Sequence, residues 1–131
     1  DTFGDLTNVA TSDPSPGPEV TVDISPARRA LVILTAAITA PAPVQGGGDM
    51  SVAVSGASTI GPSQVTRALS AVLSDSNGGT TLYVQASATA LITANDGLNE
   101  GPNTFTAKYR DPTGTLPEAS WQNRTLTVIG F

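Results

Sequence analysis

The chain has 131 residues, 39% of them hydrophobic and 13% charged, and its eleven acidic against six basic side chains give a formal charge of −5. That length suits one compact domain, and basic residues that form no run exclude a continuous cationic surface for nucleic acid. The absence of cysteine and histidine excludes disulfides, thiol redox chemistry, Ser-His-Asp and Cys-His catalysis, and the commonest transition-metal ligand.

Residues 1–18, DTFGDLTNVATSDPSPGP, end in a proline cluster that favours extended backbone, so they read as an N-terminal arm and semi-rigid linker. Phe3, Leu6 and Val9 are spaced by three and are its candidate anchoring points on a partner. From Glu19 to Phe131 the pattern becomes short apolar-polar alternations divided by turn residues, the mark of an all-β antiparallel sandwich, Ig-like or jelly-roll-like.

About seven strands are expected: 19–24, 28–39, 49–60, 64–74, 80–93, 104–110 and 123–131. The segment ALVILTAAITAPAP from Ala30 is broken by Thr35, Thr39 and Pro41, short of the roughly 20 apolar residues of a membrane helix. No membrane span is expected. GGGD at 46–49 lacks the Lys and following helix of a phosphate-binding loop and reads as a flexible connection. QVTRALSAVLS at 64–74 has helical spacing at Val65, Leu69 and Val72 but also fits a strand. The strand is preferred because DSNGGT behind it looks like a hairpin turn. Aromatics make up only 5% of the chain, so the core is mostly Val, Leu, Ile and Ala, and burial against a partner subunit would strengthen it.

Without histidine or cysteine, paired carboxylates are the remaining acid-base option, and Asp96 with Glu100 in NDGLNE is the closest cluster. Asp and Asn beside Gly are also what a turn needs, and that is the expected role. Asn95, Asp96, Asn99 and Glu100 offer oxygens to Ca²⁺ but lack the alternating spacing of a dedicated loop. Neither a catalytic residue nor a metal or other cofactor is assigned. NRT at 123–125 matches the N-glycosylation sequon, which has meaning only in a eukaryotic secreted protein. Trp121, the sole tryptophan, is expected to plug one end of the sandwich, with a stacking platform for a host-surface glycan as the alternative.

PNTFTAKYR at 102–110 interleaves aromatic and basic residues. A period of two sends Phe105, Ala107 and Tyr109 to the core and Thr104, Thr106, Lys108 and Arg110 to the opposite face, so rings and charges cannot share a site. That outward row is a candidate subunit contact.

The order SVAVSGASTI, RALSA, ASATALIT, GPNTFTAKYR, NRTLTVIGF resembles the C-terminal β domains of tail-fibre and minor tail proteins of actinobacterial phages. RALVILTAAIT is similar to a second strand of that family, and the resemblance covers about residues 27–131. It implies a noncatalytic virion structural domain on the particle surface. Other capsid or tail proteins would be its partners, and it would assemble as a homo-oligomer, with a trimer the expected state. The arm of about eighteen residues, short for a fibre stalk, shifts the expectation toward a capsid decoration or head-fibre protein. A carbohydrate- or receptor-binding module is the alternative.

Overall fold

The computed structural model describes residues 3, 17–40, 46–73, 82–110 and 120–131. Within them run seven strands: β1 (Glu19–Ile24), β2 (Arg29–Ala40), β3 (Gly46–Gly56), β4 (Ala68–Leu73), β5 (Leu82–Thr93), β6 (Gly101–Arg110) and β7 (Ser120–Gly130). One sheet, A, has the order β1-β6-β3-β4 and the other, B, has β5-β2-β7. Every pairing is antiparallel. Strand β1 lies against β7 and β4 against β5, so the sheets face each other as a sandwich. Among the described residues no helix is long and apolar enough to cross a membrane.

Alternation explains the core. Ala30, Val32, Leu34, Ala36 and Ile38 of β2 are buried, as are Met50, Val52 and Val54 of β3 and Phe105, Ala107 and Tyr109 of β6. Each set occupies every second position, which places it on one face of its strand. The strand registers bring Met50 beside Tyr109, Val52 beside Ala107 and Val54 beside Phe105. The inward half of PNTFTAKYR therefore sits where the period of two puts it.

Three local features differ from the sequence reading. Gly46, Gly47 and Gly48 are not a flexible connection; they open β3 and pair with Leu73, Val72 and Ala71. Glycine has no side chain to show an alternation, and the site demands its absence: a Cβ on Gly48 would run into the Trp121 ring, and one on Gly47 would lie 2.6 Å from the Ala71 carbonyl oxygen.

The segment 64–74 is not strand throughout. Gln64–Arg67 form one helical turn, α1, and the strand starts at Ala68. Ser63 caps the turn by accepting from the Thr66 amide at 3.4 Å, the local interaction that lets serine start a helix. The buried Ser51 hydroxyl donates to the Arg67 carbonyl at 2.9 Å and accepts from the Ser63 amide at 3.0 Å, tying α1 to β3.

Strand β7 starts three residues before the expected position and contains a bulge. Thr35 pairs with Thr125 but Ala37 pairs with Gln122, so β7 carries one extra residue there, and Asn123 takes φ 49°. Asparagine tolerates that left-handed backbone better than most residues. The extra residue shifts the phase of alternation. As a result Trp121 on one side of the bulge, and Leu126 and Val128 on the other, all pack with the core.

Candidate interaction surface

Strand β6 is interior to sheet A, so its outward face is flanked by β1 and β3. Thr104, Thr106, Lys108 and Arg110 do form one half-buried row on that face. Much of the row's bonding capacity is used within the chain. The Thr104 and Thr21 hydroxyls lie 2.8 Å apart, and Thr106 donates to Glu19 Oε2 at 2.9 Å. Arg110 donates through Nη2 and Nε to Asp49 Oδ2 at 2.6 and 3.0 Å.

Asp49 was not singled out from the sequence. It is only 1% exposed and faces outward on β3 opposite Arg110. The signal was available in register: Met50, Val52 and Val54 face the core, so Asp49 must share the other face with Arg110. A carboxylate this buried needs its cation, because desolvating an isolated charge is costly.

Of the three arm residues proposed as anchors, Phe3 is described, and its ring centroid lies 5.0 Å from the Arg110 guanidinium carbon. That is a cation-π distance. Leu6 and Val9 lie outside the described residues. The end of the arm extends the β1-β6 ladder, since the Ala107 amide donates to the Pro18 carbonyl at 3.0 Å. Gly17 passes so close to β6 that a Cβ there would lie 2.8 Å from the Tyr109 ring.

Trp121 corrects one reading. A stacking platform needs an open ring face, whereas Trp121 is 5% exposed and meets Tyr109 edge-on with centroids 5.4 Å apart. It is the plug. The Arg124 guanidinium carbon lies 5.6 Å from the centre of the same Tyr109 ring. Thus PNTFTAKYR and NRTLTVIGF meet across the sandwich at this cluster.

Burial raises the Tyr109 phenol above its ordinary value, and the neighbouring positive charge of Arg124 offsets part of that rise. A raised value in the folded state stabilises the fold below the unfolded phenol's pKa and loses that contribution as pH climbs through the folded value. Stability is therefore expected to fall above about pH 10. Tyr109→Phe should flatten that alkaline limb in urea titrations taken at stepped pH.

The carboxylate pair behaves as turn chemistry. Asp96 Oδ2 accepts from the Thr93 amide at 2.9 Å and the Thr93 hydroxyl at 3.1 Å, closing a capping box over the short 3₁₀ turn Ala94–Asp96. Its Oδ1 faces Arg67 Nη1 at 3.5 Å. Asn99 donates its backbone amide to Ser58 Oγ at 2.8 Å and its side-chain amide to the Ala57 carbonyl at 3.0 Å. Glu100 is exposed. Among the described residues no three acidic side chains gather. A cleft beside α1, lined in part by Val32, Leu34, Arg67 and Ala88, encloses about 80 Å³. Ligand pockets generally occupy several hundred.

Compared with protein-family models, curated proteins and solved structures, the chain matches none of them.

Proposed function

We propose that this chain is a noncatalytic structural domain displayed on the surface of a phage particle, of the capsid-decoration, head-fibre or tail-fibre kind. It assembles with copies of itself and with other virion proteins, and its N-terminal arm provides the anchor. The observation that carries this reading is what the polar side chains do. Asp96 closes a cap, Asp49 holds Arg110, Glu19 holds Thr106, and Ser51 ties down α1. These groups brace a scaffold instead of converging on a substrate, as a display domain requires. The resemblance of GPNTFTAKYR and NRTLTVIGF to phage tail-protein domains supplies the particle.

The decisive measurement is the position of this chain in an image of its intact particle, combined with hydrogen exchange over residues 1–18 on and off that particle. The expected result is density on the exterior and protection of the arm only when the chain is mounted. Absence from purified particles would overturn the virion assignment, and an arm equally unprotected in both states would overturn anchoring.

A further inference from the structure

Sheet B contrasts with the rest of the molecule. The chain has eleven acidic residues, yet β2, β5 and β7 contain none; their only charges are Arg29 and Arg124. Arg124 reaches the buried Tyr109 ring, which leaves Arg29 at one end of the outer face. The remainder of that face is uncharged: apolar and hydroxyl-bearing side chains, with the exposed amides Gln85 and Gln122 on either side of Ala37.

At the Arg29 end, register places Leu91, Leu31 and Ile129 side by side across the three strands. Leu91 is 53% exposed and Ile129 51%, and Phe131, just beyond β7, is 49% exposed. Ile33 continues the row on β2 between Thr89 and Thr127. Farther along, Thr35 donates to Ser87 Oγ at 3.3 Å, and Tyr83 closes the far end of β5, exposed. Contiguous apolar patches of this kind are uncommon on monomers unless they meet something.

We infer that the outer face of sheet B is a self-association surface, on which a second copy of this chain packs sheet to sheet about a two-fold axis. Two arguments select a second copy. The first is charge. At −5 two copies repel each other over most of their surfaces, and a face without carboxylates is where that repulsion is smallest. The second is area. Three strands about 4.8 Å apart and about 37 Å long present together roughly 500 Å² per copy, so a face-to-face pair removes about 1,000 Å², the lower bound for a specific interface.

A surface that meets its own copy does so isologously, which makes the pair a dimer and not the trimer expected from the sequence. It also moves the subunit contact off Thr104, Thr106 and Arg110, which bond to Thr21, Glu19 and Asp49 of their own chain. The inference specifies the homo-oligomer in the proposed function and does not depend on where the particle carries it.

Sedimentation of the full chain across a concentration series tests the pairing. The expected result is a monomer-dimer equilibrium little weakened by salt. Leu91→Asp with Ile129→Asp should raise the dissociation constant at least about 100-fold, because buried like charges face each other twice in a symmetric pair. Circular dichroism should show the variant folded. As a probe that leaves the apolar row intact, Thr127→Cys in this cysteine-free chain should cross-link to itself with a maleimide pair spanning about 10 Å, the spacing of packed sheets. Thr106→Cys, on the opposite face, should not. A strict monomer overturns both this inference and self-association. A dimer or trimer that survives the double aspartate change, or that cross-links through Thr106→Cys, overturns this face alone.

Discussion

Trp121→Ala is expected to lower the unfolding free energy by about 3–5 kcal/mol, the usual result of truncating a large buried aromatic. The ring lies over the Cα of Gly48 and edge-on to Tyr109, so its removal opens a void between β3, β6 and β7. Strand backbones cannot collapse into such a void without breaking ladder hydrogen bonds. Gly48→Ala attacks the same contact from the opposite side, since the new methyl claims space the indole occupies. It should also destabilise the protein, by a smaller amount set by how far the ring can shift. Trp121 is the only tryptophan, so its fluorescence reads the local geometry directly. In Gly48→Ala the emission should move toward longer wavelength while circular dichroism remains that of a β protein. A chemical-denaturation midpoint unchanged by Trp121→Ala would show that the indole is dispensable to the core.

Arg110→Met should be nearly as damaging, at about 3–5 kcal/mol, because it strands the Asp49 carboxylate in a site 1% exposed. The pair differs from the Arg67–Asp96 contact, which is longer at 3.5 Å and leaves the Asp96 side chain 34% exposed. Ion pairs of that more open kind contribute about 0–1 kcal/mol. The double variant Asp49→Asn with Arg110→Met should recover part of the loss, since a neutral amide tolerates burial better than a lone charge. Urea titration of the two single variants and the double variant gives the coupling energy. Full additivity would mean that Asp49 and Arg110 do not depend on each other.

Most strands were legible because alternation survives in sequence wherever one face is apolar. Glu19–Ile24 shows it, and so does Thr104–Arg110, whose inward and outward halves fall where a period of two assigns them. The failures have local physical causes. Gly46–Gly48 carry no side chains from which a face could be read, although the backbone pairs normally there. Gln64–Arg67 became a turn of helix because Ser63 caps it, a contest between two local preferences that composition does not decide. Trp121 lies upstream of a bulge that shifts the phase of β7 by one residue, so an alternation counted from Leu126 cannot place it. Asp49 was the least visible of the important residues. Its role depends on Arg110, sixty-one positions away, and appears only when two separately periodic strands are set in register.

The strand order also has a consequence in time. β1 is made first but bonds to Gly101–Thr106 of β6, while β2 has its partners in β5 and in β7. On a ribosome, residues 19–40 therefore emerge well before anything that can complete them, and among the described strands β3-β4 is the one pairing between consecutive strands. Architectures dominated by such distant pairings fold on the order of milliseconds to seconds. The sandwich must close late and nearly at once, when residues 101–130 become available to both sheets.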